Sequence, residues 1–211
     1  IVSIVFSILI FIIAWLAFCG YQWSWGPFVK LHDYKTASLA GNAEQYALDT
    51  IEVERNSPLK NKNIVFLGSS VTYGASSMGV SFADYIGAMN DCSIIKEAVS
   101  GTTLVDEGID SYISRLNKID TQNADIFVCQ LSTNDATQKK PLGEINNSVN
   151  INDFDTKTVA GAIEYIIAYA KDKWDCPVVF YTNPKYDSAN YQAMVNLLLE
   201  IQKKWNIEII D

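Results

Sequence analysis

The sequence predicts an α/β domain, a three-layer, doubly wound sheet of five parallel strands, preceded by a transmembrane helix. Two patterns in residues 61–211 predict the sheet: short apolar runs alternate with stretches whose apolar residues recur every three or four positions. Short apolar runs are typical of buried strands, and an apolar residue at every third or fourth position is typical of amphipathic helices. The alternation of strands and helices along a chain favours a parallel sheet. An uncharged apolar N-terminus predicts the membrane helix.

The N-terminal segment carries no charge before Lys30, and residues 1–17 are almost all Ile, Val, Leu, Phe or Ala. A helix of about 20 apolar residues crosses a bilayer. Aromatic residues typical of a membrane interface follow it: Tyr21, Trp23 and Trp25. We predict a single-pass anchor over residues 1–25 and a location in the cell membrane. The alternatives are a cleaved signal peptide, for which no small-residue cleavage pattern stands out, a buried core helix, and the last span of a longer membrane protein.

Residues 26–60 are predicted to be a juxtamembrane spacer that is helical over 38–55. The domain proper, over 61–211, has strands predicted at 64–67, 93–96, 125–131, 177–181 and 207–210. Helices are predicted at 81–89, 109–116, about 155–170 and 191–205. The third strand is apolar on both faces, as a central parallel strand is, and a long polar loop follows it over 134–153.

Charge and cysteine content restrict the function classes. The chain has 24 acidic and 16 basic residues, a net charge of −8, which argues against a nucleic-acid partner. Three cysteines in or beside the predicted strands show no C-x-x-C pairing: Cys92, Cys129 and Cys176. We expect buried free thiols there, and neither a disulfide framework nor a metal site.

Small polar residues end three of the predicted strands, at 68–72, 98–103 and 132–135. Because the carboxyl ends of parallel strands meet at one edge of a sheet, these segments should face one another. Acyl transfer at a serine needs a nucleophile and hydrogen-bond donors aimed at the developing oxyanion. Ser70 supplies a hydroxyl, and the backbone N–H groups of Ser70 and Gly101 and the carboxamide of Asn134 supply donors.

These blocks, in this order, resemble the SGNH (GDSL-type) hydrolase family. The family's Gly-Asp-Ser-Leu corresponds to residues 68–71, its glycine to Gly101, and its Gly-x-Asn-Asp to residues 132–135. The resemblance implies a flavodoxin-like fold, a serine esterase activity without metal or cofactor, Ser70 as nucleophile, and an oxyanion hole of Ser70, Gly101 and Asn134. Ser69 replaces the family's Asp, and Ser132 replaces a Gly.

Five further residues are possible lining residues of the cleft, each with an alternative role. Ser69 fits a turn better than a second nucleophile, and Asn183 fits a turn equally well. Thr72 and Thr102 fit helix caps, and Asp135 fits a role in fixing its loop by hydrogen bonds.

The family also places an Asp and a His in an Asp-x-x-His motif after the last strand, whereas this sequence ends at Asp211. The one histidine, His32, precedes the domain and is expected to be a juxtamembrane surface residue. A serine without its base loses orders of magnitude in rate. We therefore expect a C-terminal segment bearing the base, and near inactivity of the 211-residue chain alone.

The sequence thus favours a membrane-anchored serine esterase, with its catalytic domain outside the cell, that removes an acyl group from an acylated glycan or another small ester. Two alternatives stay open. One is an O-acyltransferase domain of a larger membrane protein, and the other is a non-catalytic binding module with the same fold.

Overall fold

The computed structural model describes residues 2–211, so Ile1 of the predicted anchor lies outside the described residues. The chain divides into two compact units. The first reaches to residue 51 and includes residues 76–79, and the second comprises residues 52–75 and 80–211.

The first unit begins with helix α1 (Val2–Trp23), followed by helix α2 (Lys30–Ala37). Within α1, residues 3–23 are long and apolar enough to cross a membrane, by length and composition, and most of their side chains are exposed. The two helices contact each other. Gly20 of α1 lies against the segment just before α2, where a β-carbon would lie 2.4 Å from the carbonyl oxygen of Phe28. These features are consistent with a single-pass anchor.

The prediction of a helix over 38–55 is wrong. The segment instead forms three single 3₁₀ turns (Ala40–Asn42, Glu44–Tyr46 and Leu48–Thr50), and the chain becomes extended between them at Ala43 and Ala47. Gly and Asn are poor helix formers, and helices in proteins depend on the packing of an apolar face. The apolar side chains of this segment are largely exposed, so that packing is missing.

The second unit contains the predicted sheet. Its strands are β1 (Asn63–Gly68), β2 (Ser93–Ala98), β3 (Ile126–Gln130), β4 (Val178–Tyr181) and β5 (Glu208–Ile210). Its helices are α3 (Ser70–Tyr73), α4 (Phe82–Asn90), α5 (Tyr112–Leu116), α6 (Thr133–Thr137), α7 (Val159–Trp174) and α8 (Ala189–Trp205). The predicted strands and helices are confirmed with small shifts, the largest being at α7, which begins and ends about four residues later than predicted. The short helices α3 and α6 were not predicted, and α6 occupies the start of the segment predicted as a polar loop over 134–153.

All described strand pairs are parallel, in the order β2-β1-β3-β4-β5. The predicted fold class is therefore confirmed. The winding direction of such a sheet reverses between β1 and β3, and ligands bind at that point, outside the carboxyl ends of the strands. Ser70 follows β1, and Asn134 follows β3.

Alternate residues of each strand face opposite sides of the sheet. On one side, residues such as Val65, Phe127 and Phe180 pack under α5, α7 and α8 in the main core. On the other, Ile64 and Phe66 contribute to a smaller cluster with α4. Beside α4 this second face borders an open, mainly apolar groove of about 960 Å³. Cys129 and Cys176 are buried and Cys92 is half-buried, all as free thiols, as expected.

Candidate active site

The turn after β1 brings Ser70 to the first position of the short helix α3, where its side chain is half-buried. Gly68 is required for this turn because a β-carbon on it would lie 1.7 Å from Thr72 Oγ1 and 2.9 Å from Gln130 Oε1. Gly74 ends α3 in the left-handed conformation, with φ of +85°, and closes the turn.

The side chain of Gln130, the last residue of β3, holds this turn by hydrogen bonds. Its buried Oε1 accepts hydrogen bonds from Ser69 N (2.9 Å), Thr72 N (3.3 Å) and Thr72 Oγ1 (2.8 Å). Its Nε2 donates to Asn183 Oδ1 at 3.3 Å. One buried carboxamide therefore connects the Ser70 turn with the ends of β3 and β4.

Gly101, in the loop after β2, has φ of +83° and is exposed. No heavy atom outside its neighbours lies within 4 Å of the place where a β-carbon would be. Its backbone is therefore open to approach by a ligand. Thr102, beside it, is half-buried and borders, with Gly101, a cavity of about 350 Å³.

Asn134 lies in the first turn of α6, held by its N-cap residue: Ser132 Oγ accepts from Asn134 N at 3.1 Å. Its Nδ2 donates to the carbonyl oxygen of Thr102 at 2.8 Å. A carboxamide nitrogen carries two N–H groups, so this bond leaves one for a ligand. The carboxamide is thereby held beside the residue that follows Gly101.

Asp135 has the loop-fixing role that the sequence offered as an alternative. Its carboxylate is 1% exposed and accepts from Leu104 N at 2.8 Å and from Val105 N at 3.1 Å. Burial raises its pKa, and the two backbone donors oppose that rise. It joins the end of β3 to the loop that carries Gly101.

The suggested cleft-lining residues fall into two groups. Ser69, Thr72 and Asp135 are at most 1% exposed, so their side chains do not line an open cleft. Thr72 and Asp135 hold their loops by buried hydrogen bonds, whereas the buried Ser69 hydroxyl has no hydrogen-bond partner among the described residues. Thr102 borders the small cavity near Gly101, and Asn183 borders the apolar groove.

Thr72 and Asn183 belong to a buried polar network under the Ser70 turn. Thr72 Oγ1 lies 2.6 Å from Tyr181 Oη, and Asn183 Nδ2 donates to the carbonyl oxygen of Leu131 at 2.8 Å. Burial raises the pKa of Tyr181 well above its ordinary value, so its hydroxyl stays protonated. A network satisfied in this way makes its surroundings rigid.

Arg115 of α5 is a further residue at this edge that the sequence did not indicate. Its guanidinium is 4% exposed and donates to Gly68 O at 2.9 Å and to Thr102 Oγ1 at 3.0 Å. It therefore bonds to both the Ser70 turn and the Gly101 loop.

His32 lies in the first unit, where its Nδ1 is 3.1 Å from the carbonyl oxygen of Tyr21. It is the one histidine of the sequence, so the second unit contains none. Of the expected triad, the described residues of this unit supply the serine alone.

No protein-family model and no curated protein matches this sequence. Its fold, however, is similar to those of several solved structures. A protein designated a GDSL-like lipase, from Bacteroides ovatus, matches with a TM-score of 0.56 and 18% identity, over 72% of this chain and 84% of that one. A lipolytic protein of the G-D-S-L family from Desulfitobacterium hafniense matches with a TM-score of 0.57 and 15% identity, over 72% and 77%.

The chain has the SGNH (GDSL-type) hydrolase fold. A family two carbohydrate esterase from Clostridium thermocellum, solved in complex with cellohexaose, shares it with a TM-score of 0.51 and 15% identity, over 74% of this chain and 55% of that one. Identities this low show the fold alone.

Within the SGNH hydrolase fold, two supporting residues were missed from the sequence, and each left a weak signal. Gln130 is a polar residue that ends an otherwise apolar strand. Arg115 is a cation among the apolar positions of a short amphipathic helix. A polar side chain at a buried position indicates that it makes hydrogen bonds, although its partners cannot be identified from the sequence.

Proposed function

We propose that this protein is a serine esterase whose nucleophile is Ser70 and whose oxyanion hole consists of the N–H groups of Ser70 and Gly101 and the carboxamide of Asn134. The serine would attack an ester carbonyl while the base takes its proton, and the three donors would stabilise the tetrahedral oxyanion. The intermediate would collapse to an acyl-enzyme as the ester C–O bond breaks and the alcohol leaves with that proton, and water would then release the acid and restore the serine. The proposed reaction uses a serine nucleophile and hydrogen-bond donors, and the family resemblance implies no metal or cofactor for it.

One observation carries the proposal: the hydrogen bonds that join the three loops. Gln130 bonds to the Ser70 turn, Arg115 links that turn to Thr102, and Asn134 donates to the carbonyl oxygen of Thr102. Residues far apart in sequence are thus connected at the switch point of the sheet. Polar groups that converge at such a point are typical of a ligand site.

The proposal places the general base, a histidine with its orienting aspartate, in sequence that follows Asp211, on the pattern that the family resemblance implies. His32 is not assigned to this role because its Nδ1 lies at hydrogen-bond distance from a carbonyl of its own unit. Ser69, at the position of the family's aspartate, is not assigned a catalytic role, because its side chain is fully buried and its hydroxyl has no hydrogen-bond partner among the described residues.

We further propose that α1 anchors the enzyme in the cell membrane, with the second unit on the outer face, and that the substrate is an acylated glycan or another small ester. The apolar length of α1 supports the anchor. The fold shared with a carbohydrate esterase supports the class of substrate.

The test is hydrolysis of p-nitrophenyl acetate by the protein expressed from its whole gene, in detergent. Ser70→Ala should lower kcat/KM by about 10³-fold or more, because the nucleophile is removed. Ser76→Ala, which changes an exposed serine of the other unit, is the control and should leave the rate unchanged. Equal rates for the Ser70→Ala variant and the parent protein would reject the proposal. Fast Ser70-dependent hydrolysis by the 211-residue chain would reject the placement of the base.

A further inference from the structure

We propose that Arg115 is a positioning residue that sets the distance between the nucleophile and the oxyanion donors. The inference rests on the proposed function and deepens it. Arg115 lies on α5 and is separated in sequence from both loops that it joins.

The guanidinium of Arg115 uses its whole hydrogen-bonding capacity inside the protein. Nε donates to Asp110 O at 2.9 Å. Nη1 donates to Glu97 O at 2.8 Å and to Glu97 Oε1 at 3.4 Å. Nη2 donates to Gly68 O at 2.9 Å and to Thr102 Oγ1 at 3.0 Å. An arginine has five N–H groups, and each has an acceptor here. The side chain is therefore fixed in one orientation.

The acceptors belong to the segments that carry the chemistry. Gly68 is two residues before Ser70, and Thr102 directly follows Gly101, so Nη2 alone bridges the nucleophile turn and the oxyanion loop. The carbonyl oxygen of Thr102 in turn accepts from Asn134. Arg115 thus lies at the centre of a path of bonds that connects the segments carrying all three proposed groups, and it is itself only 4% exposed.

Lysine cannot reproduce this bridge. Its ammonium keeps the charge but has three donors at a single point, in place of a planar fork of five. We therefore expect Arg115→Lys to loosen the Gly101 loop relative to Ser70. Because a misplacement of about 1 Å can cost about 10²-fold in rate, kcat should fall by about tenfold to 10²-fold. KM should change little, since substrate binding away from the reacting carbonyl is unaffected.

A second pair of variants tests the bridge with less risk to folding. Thr102→Val keeps the shape of the side chain but removes the hydroxyl that accepts from Nη2 and that also donates to Val99 O at 2.7 Å, whereas Thr102→Ser retains both bonds. Arg115→Lys leaves the bond to Val99 in place, so an effect shared by Arg115→Lys and Thr102→Val belongs to the bridge. The valine variant should lose activity in kcat, and the serine variant should keep most of it. A purely structural role for the hydroxyl would change stability in the valine variant and leave kcat as it was.

The experiment measures kcat and KM for ester hydrolysis together with amide hydrogen exchange, in the protein expressed from its whole gene. Arg55→Lys, at an exposed position, is the matched control, because the sequence contains just these two arginines. For Arg115→Lys and Thr102→Val we expect a drop in kcat and exchange of the Val99 amide, which donates to Gly68 O at 3.3 Å, that is faster by about tenfold, with exchange in β1 unchanged.

The outcomes separate this inference from the proposed function. If the parent protein shows no Ser70-dependent hydrolysis, the proposed function fails, and the exchange data alone decide whether Arg115 holds the loop. Unchanged exchange of the Val99 amide in both Arg115→Lys and Thr102→Val would overturn the inference. If Arg115→Lys does not fold, the comparison of Thr102→Val with Thr102→Ser decides it, and equal kcat in those two variants would overturn it.

Discussion

Gly68 shows how tightly single residues are constrained around Ser70. Its lack of a side chain lets Thr72 Oγ1 and Gln130 Oε1 approach the backbone of β1, where a β-carbon would lie 1.7 Å and 2.9 Å from them. Both atoms belong to the buried network that holds the turn, so neither can move without breaking hydrogen bonds. The glycine is therefore a packing requirement.

Gly68→Ala should lower the free energy of unfolding by about 3 kcal/mol, because the added methyl group overpacks a buried, hydrogen-bonded site. The comparison is Gly101→Ala, which places a methyl group in open space but at φ of +83° and should cost about 1 kcal/mol. Urea unfolding measures both values. A smaller loss for Gly68→Ala than for Gly101→Ala would contradict the described turn.

The sequence identified the candidate reacting residues but not their supports. Ser70, Gly101 and Asn134 could be predicted because small polar residues after buried strands form a local pattern. Arg115 and Gln130 could not, because their partners are backbone groups tens of residues away along the chain, such as the Gly68 carbonyl and the Ser69 N–H. Which backbone group accepts from a side chain is decided by tertiary structure.

At the scale of an element, the start of α4 shows how one carboxylate joins a helix to the sheet. Ser81 is the N-cap, and Asp84 accepts from the Ser81 backbone N–H at 2.7 Å in a capping box. The same carboxylate is paired with Lys96 of β2. Burial raises the pKa of Asp84, but the bonds from Lys96 and Ser81 outweigh it, so the net pKa is below the ordinary value of 3.8.

This lowered pKa predicts how stability depends on pH. Since the folded-state pKa lies below the unfolded one, the ionised carboxylate contributes stability above pH 3.8, and the contribution is lost as the pH falls through the folded-state pKa. Asp84→Asn should therefore cost about 1 kcal/mol near neutral pH. The cost should shrink towards zero in strong acid.

Urea unfolding over a pH series measures the Asp84 contribution, with Asp187→Asn, at an exposed position, as the control. If Asp84→Asn lowered the free energy of unfolding by the same amount at neutral and at strongly acidic pH, the predicted pH dependence would be contradicted.

The elements differ in how well the sequence predicted them. Strands were located within a few residues because apolar runs are local signals. The segment over 134–153 was predicted to be a polar loop, but the contacts that hold it in place were not predicted. Buried Glu164 accepts from Asn146 N at 2.8 Å and from Trp205 Nε1 at 3.0 Å, and it pairs with Lys204. A loop that is held to two helices in this way is more ordered than its composition suggests.

At the scale of the whole molecule, the second unit has one face of its sheet covered by α5, α7 and α8 and the other bordering a groove of about 960 Å³. The sequence could not predict that difference. The residues of a parallel strand are apolar on both faces irrespective of what packs against them. The fold class followed from periodicity, whereas the coverage of each face depends on how the connections run.

The central claim is that Ser70 Oγ, the Gly101 N–H and the Asn134 carboxamide act on one carbonyl group. A crystal structure of the protein expressed from its whole gene, after reaction with a fluorophosphonate ester, tests it most directly. We expect phosphorus bonded to Ser70 Oγ and a phosphoryl oxygen about 3 Å from both Gly101 N and Asn134 Nδ2. An adduct at another residue, or a phosphoryl oxygen out of reach of both donors, would contradict the account.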